Sequence, residues 1–136
     1  MRVLALDYGS ARCGCAVSDP TGVLATPIEA VTAPGSRRGI ARLVELVQEL
    51  DVELVVVGLP LSLAGGDSGQ TSVTRAFAET LRRRLPVPVE LYDERFTTRI
   101  AQLHGRTALA SEDSRAAAHL LSSWLERRAN RGADRA

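Results

Sequence analysis

The sequence contains no lysine: its 17 basic residues are all arginine, set against 16 acids, for a formal charge of +1. It therefore lacks the basic excess common in nucleic-acid-binding domains, and any attraction for phosphate must be local. Arginine makes planar, two-pronged contacts to phosphate, but the coding bias of a G+C-rich genome produces the same count, and composition does not separate the two causes. Cysteine and histidine are scarce too, at two each, and with both histidines distant in sequence from the cysteines they do not read as a zinc site's four ligands. A strand would turn Cys13, Cys15 and Val17 to one face, so both thiols are expected as small core hydrophobes, with a redox or intersubunit role as the alternative. No apolar run approaches the roughly 18 residues of a membrane span. The first residues enter strand-like Val3 to Leu6 without the long apolar stretch of a secretion signal, so a cytoplasmic location is expected. His104 and His119 stand beside no serine or cysteine nucleophile motif, and His119 reads as a packing or surface residue.

What is present suits one globular domain. At 136 residues the chain is long enough to close a hydrophobic core without disulfides. The expected domain spans residues 1–129, followed by a polar tail, 130–136, expected to be disordered. Strands are predicted at Val3 to Leu6, Cys13 to Val17 and near Val23 to Thr26, as a meander. Ile40, Leu43, Val44, Val47 and Leu50 recur at helical spacing over Ser36 to Leu50. Leu54 to Leu59 reads as a strand buried on both faces. A glycine-bearing loop from Ser62 to Gly69 leads into a helix carrying Val73, Ala76, Phe77, Leu81 and Leu85, which Pro86 ends. A fifth strand, Val87 to Tyr92, is followed by a short helix from Thr97 or Thr98 to about Leu103, a loop to Ala110 and a last helix from about Ser111 to Arg128. The pattern predicts an α/β fold with a mixed five-stranded sheet, three antiparallel strands then βαβαβ, flanked by helices. In such sheets ligands gather at the carboxyl ends of strands.

Acids fall at that edge. Asp7 ends the first strand before Tyr8-Gly9-Ser10, a turn that lets a substrate approach the backbone, although a strand-ending turn aspartate is the plainer reading. Glu94 stands between Asp93 and Arg95, a run that also suits a solvated charge cluster. Asp113 shares a helical stripe with Ala117, Leu120 and Trp124 and so faces the sheet, where an ionised carboxylate needs a cation, a donor or water. Equally, Glu112 and Asp113 complement the helix dipole. Three such carboxylates suit Mg²⁺ or Mn²⁺, and two ions about 4 Å apart support phosphodiester hydrolysis without a histidine base or covalent nucleophile.

These residues carry a family resemblance over nearly the whole chain. Leu6-Asp7-Tyr8-Gly9-Ser10-Ala11-Arg12 with Gly14, Ala16, Val17, Ser18 and Asp19, then Val57-Gly58-Leu59-Pro60-Leu61 with Gly65 and Gly69, then Asp93-Glu94-Arg95-Phe96-Thr97-Thr98, and finally Asp113-Ser114 with Ala116 and Ala117 resemble the YqgF/RuvX proteins. That family consists of RNase H-like pre-16S rRNA nucleases, also described as Holliday-junction-resolvase-like. The resemblance implies that Asp7, Glu94 and Asp113 are the catalytic, metal-binding acids, with Mg²⁺ or Mn²⁺ as cofactor. It places Gly9, Arg12, Gly65, Gly69, Asp93, Arg95, Thr97 and Thr98 on the substrate side of the site. It further implies a role in maturing the 5′ end of 16S rRNA, with branched DNA as an alternative substrate and either a monomer or a homodimer as the working unit. A charge-paired Arg12 and a merely flexible Gly65 to Gly69 connector are the alternatives at those positions. The segment between Leu103 and Asp113 is shorter than the family's, with its basic loop reduced to Gly105-Arg106. Phe96 stands for the usual leucine and reads as conservative packing. Glu112 replaces an apolar residue. Two rivals lie outside this class: an actin-like ATPase lobe, which one domain of this size cannot complete, and a non-catalytic RNA-binding assembly factor.

Overall fold

The computed structural model describes residues 1–97 and 111–135 of the chain, the side chains of residues 133–135 excepted. The predicted helix after Thr97 and the loop to Ala110 lie outside these residues, as does Thr98. Five strands, β1 (Val3–Asp7), β2 (Arg12–Ser18), β3 (Ala25–Thr32), β4 (Leu54–Leu59) and β5 (Val89–Asp93), form one sheet in the order β3-β2-β1-β4-β5. β1 pairs antiparallel with β2 and parallel with β4, β2 pairs antiparallel with β3, and β4 pairs parallel with β5. This is the mixed five-stranded sheet that the sequence predicts.

Period-two alternation sends the strand side chains to two separate cores. Leu4, Leu6, Cys13, Cys15, Val55 and Val57 meet helices α1 (Arg37–Glu49) and α2 (Gly69–Arg84) through Ile40, Leu43, Val47, Phe77 and Leu81. Val3, Ala5, Ala16, Val56 and Tyr92 meet helix α3 (Glu112–Arg135) through Ala117, Leu120, Leu121, Trp124 and Leu125. β1 and β4 are covered on both faces, which explains their unbroken apolar character. Cys13 and Cys15 are free and buried in the first core, packing as small hydrophobes. The Cys15 hydrogen bond and burial, with smaller contributions from Cys15, Asp7 and Asp113 charge, push the Cys13 thiol upward. No helix among the described residues is long and apolar enough to cross a membrane.

Several boundaries differ from the expected ones for physical reasons. β3 begins at Ala25 and runs to Thr32 because Asp19 first closes a turn, accepting from the Val23 and Leu24 amides at 2.8 and 2.7 Å. Pro27 is tolerated inside β3 because that strand is an edge. α2 begins four residues before Val73, behind a Ser68 capping box completed by Thr71. The buried Thr71 hydroxyl also bonds the Pro60 carbonyl, tying the helix start to the end of β4. Threonines 71 and 74 join Phe77 and Leu81 on the buried face, while Val73 is exposed. α3 continues through Gly132 to Arg135, past its expected end at Arg128. A single glycine costs a helix only about 1 kcal/mol, and the flanking alanines and arginines are good helix formers.

Candidate active site

Because β1, β4 and β5 run parallel, Asp7, Leu59 and Asp93 end along one edge of the sheet, and Arg12 at the start of antiparallel β2 joins them. Two glycines then make room above that edge. Asp7 pairs across strands with Gly14, and a Cβ at Gly14 would overlap the Asp113 carbonyl and approach the Ser114 amide within 2.8 Å. The absence of a side chain thus lets the first turn of α3 rest directly on β2. The Ser114 hydroxyl, fully buried, accepts a 3.2 Å hydrogen bond from the Cys15 amide and fixes that contact. On the other side of β1, Gly58 of β4 lies under Glu94, where a Cβ would come within 2.8 Å of Oε1 and 3.1 Å of Cγ.

Glu94 opens a single 3₁₀ turn, Glu94–Phe96, capped by the Asp93 side chain, which accepts from the Arg95 amide at 2.9 Å. Ser123 of α3 anchors this turn. Its hydroxyl donates to the Phe96 carbonyl at 3.0 Å and lies 2.8 Å from the Tyr92 hydroxyl. The Glu94 carboxyl is pushed up to about 7, first by burial, then by the charge of Asp7 and a hydrogen bond with it. Asp7 and Glu94 therefore form one coupled pair. They line a cleft of about 200 Å³ with Thr97, Ala116, His119 and Leu120.

The third expected acid stands apart from this pair. Asp113 accepts from the Arg12 guanidinium at 3.1 Å, with 63% of the Arg12 and 40% of the Asp113 side chain exposed. Ala117, Leu120 and Trp124 of its stripe are buried, but the first helical turn lies at the rim of the sheet, and Arg12 supplies the cation that Asp113 requires. Among the described residues no group of three or more histidine, cysteine or acidic side chains is gathered to hold a metal ion.

Of the expected substrate-side residues, Gly9 closes the β1–β2 turn, where a Cβ would stand 2.7 Å from the Arg12 carbonyl. Asp93 and Arg95 form a two-pronged ion pair, Nη2 to Oδ2 at 2.7 Å, which lowers the Asp93 carboxyl. Arg95 also reaches the Leu63 carbonyl at 3.5 Å, so it braces the 62–66 loop against the site edge. Gly65 adopts a positive φ of 87° in that loop, a conformation glycine takes without strain. Gly69 opens α2, where a Cβ would meet nothing within 4 Å among the described residues. The Thr97 hydroxyl is buried without a hydrogen-bond partner among the described residues, at the wall of the cleft. His119, half-buried, also lines the cleft, a place that its reading as a packing or surface residue allows. One signal was available: it stands three residues after Ala116 on the same helix. A larger groove of about 620 Å³ between β3 and α1 contains none of the expected residues.

A family described as RuvX, Holliday junction resolvase, matches residues 1–127. The chain belongs to the RuvX family. Relatives provisionally named pre-16S rRNA nucleases include one from Koribacter versatilis strain Ellin345, 36% identical over 93% of this chain and 88% of its own length. Another, from Mycobacterium leprae strain Br4923, is 44% identical over 92% of this chain and 72% of its own. Among solved structures, Thermus thermophilus RuvC in complex with a Holliday junction superposes with a TM-score of 0.68 at 16% identity, covering 96% of both chains. The RuvX chain thus has the RNase H-like fold of RuvC.

Gly58 gives a first test of this geometry. Its replacement by alanine is expected to push the Glu94 carboxylate aside and to lower catalytic turnover by about 10–100-fold, with the circular dichroism spectrum unchanged. Wild-type turnover in Gly58→Ala would mean that the placement of Glu94 over β4 is immaterial.

Proposed function

We propose that this RuvX protein is a divalent-cation-dependent endonuclease that cleaves RNA, acting on the 5′ end of precursor 16S rRNA. The observation that carries the reading is the Asp7–Glu94 pair. Two carboxyls share a partly buried cleft at the carboxyl edge of the sheet, and one is held near 7 by burial and then by the charge of the other. Such a pair is costly unless a proton or a cation sits with it. Their oxygen donors fit Mg²⁺ or Mn²⁺, which, when bound, would help activate water and neutralise charge at a scissile phosphate.

Asp113 completes the donor set in this reading. Its exposed pair with Arg12 is worth at most about 1 kcal/mol, so the carboxylate is readily exchanged from guanidinium to cation. Arg12, once released, sits at the same edge to meet a phosphate oxygen. Thr97 offers its hydroxyl to substrate from the cleft wall, and the Arg95 brace holds the 62–66 loop beside the site. Names carried by the relatives favour precursor rRNA over branched DNA.

The test compares cleavage of a precursor 16S rRNA fragment and a four-way DNA junction at matched salt, with Mn²⁺, with Mg²⁺ and with EDTA. Cation-dependent cleavage of the RNA is expected. Cleavage of the junction alone would move the substrate to branched DNA, and no cleavage of either would leave an RNA-binding assembly factor.

Cation binding also has a pH signature. Glu94 must release its proton to ligate, so Mn²⁺ affinity is expected to fall as pH drops below about 7. Calorimetric titrations in buffers of different ionisation enthalpy should register proton release near pH 6.5 and little at pH 8.5. Absence of that difference would remove Glu94 from the cation site.

A further inference from the structure

Phe96 is not the packing residue that its sequence position suggests. It is 46% exposed, and its ring is held in place from behind: Tyr92 lies 6.0 Å away, tilted by 51°, and Ser123 fixes its carbonyl. The Arg127 guanidinium lies over the ring at 4.0 Å from the centroid. No carboxylate pairs with Arg127 among the described residues, so its charge stays available. Phe96 also stands between Glu94 and Thr97, two residues of the catalytic cleft wall. Beyond it, Arg128 and Arg131 continue along α3, lining a further cleft of about 390 Å³ with Glu90 and Trp124.

An exposed aromatic ring beside a reactive cleft is an apolar liability for a monomer. Layered with a guanidinium, however, it is a platform for a nucleobase, because every base has a π-face and arginine adds charge attraction for the neighbouring phosphate. We propose that Phe96 and Arg127 form a stacking site for one unpaired base of the substrate, the base lying on the outer face of the guanidinium that the ring supports and its nucleotide positioned next to the scissile phosphate. A base held in a duplex cannot reach such a platform without unstacking, so the site selects for single-stranded RNA at the cut. Leucine at this position would preserve apolar contact with Tyr92 but provide no ring for the guanidinium to lie on. The inference rests on the nuclease reading for its substrate, while its test does not depend on cleavage.

The experiment measures binding of the full chain in EDTA to a 10-nucleotide single-stranded RNA carrying 2-aminopurine, and to the same strand fully paired. Phe96→Leu is expected to weaken single-strand binding by about 5- to 100-fold, to abolish the stacking quench of 2-aminopurine and to leave duplex binding unchanged. Phe96→Tyr retains the ring and should stay within about 3-fold of wild type, and Arg127→Gln should lose at least as much as Phe96→Leu. In cleavage of single-stranded RNA with Mn²⁺, Phe96→Leu should lower kcat/KM. Equal loss on single strand and duplex, failure of Phe96→Tyr to retain affinity, or a wild-type protein that binds no single strand in EDTA would each overturn the stacking site. Single-strand binding with the expected variant pattern but no cleavage under any cation would instead overturn the nuclease reading and leave the site standing.

Discussion

Asp7→Asn is expected to reduce cleavage by about 10²–10³-fold or more while making the cation-free protein more stable. Both effects have one cause. The Asp7 charge, after burial, holds the Glu94 carboxyl near 7 against an ordinary value of 4.5. Between those pH values the folded chain keeps a proton that the unfolded chain releases, so this group's contribution to stability declines as pH rises from 4.5 to 7 and is a full penalty above that. A tenfold change in proton affinity corresponds to about 1.4 kcal/mol. Since Glu94 is partly exposed, solvent screening reduces the whole effect to about 1 kcal/mol, or roughly 3–5 °C in Tm for a chain of this size. Asp7→Asn and Glu94→Gln should each raise Tm in EDTA at pH 8 and change it little at pH 4. A variant with wild-type cleavage would assign the activity elsewhere. One that lost both activity and stability would make the pair a scaffold element.

The second large effect concerns a residue with no chemistry of its own. Gly14→Val should cost about 3 kcal/mol or more, because the added carbons meet the Asp113 carbonyl and the Ser114 amide, and backbone cannot rotate away as a side chain can. Ser114→Ala removes only the acceptor for the buried Cys15 amide and should cost about 1–3 kcal/mol. Urea denaturation of the two variants gives the order directly. A Gly14→Val protein as stable as Ser114→Ala would mean that α3 does not sit against β2 as described.

The strands at the centre of the sheet were legible because burial on both faces leaves an unbroken apolar run, as in Val55, Val56 and Val57. Their parallel pairing made the edge carrying Asp7 and Asp93–Glu94 predictable. The start of β3 was less so, since the Asp19 turn hides in a loop-like stretch and Pro27 reads as a strand breaker until the strand is known to be an edge. The buried threonines of α2 escaped a reading based on apolar periodicity. Asp113 shares its stripe with the buried Ala117, Leu120 and Trp124, but helical phase does not report how far a first turn overhangs its sheet; its pairing with Arg12 is the charge-paired alternative that the sequence left open at that position. Phe96 looked like a leucine equivalent because exposure is a tertiary property, and the same limit concealed His119 in the cleft wall.

The contacts that seat Asp113 join distant parts of the chain: Arg12 and Asp113 are 101 positions apart, and Cys15 and Ser114 are 99 apart. Loop closure of that length loses entropy before any contact compensates for it, so such pairings form slowly relative to hairpins and helices. During refolding the β1–β2 hairpin and the individual helices are expected to precede the docking of α3. Cleavage activity should therefore trail the recovery of secondary structure if Asp113 serves the proposed cation site, since the contacts that seat it are among the last to form.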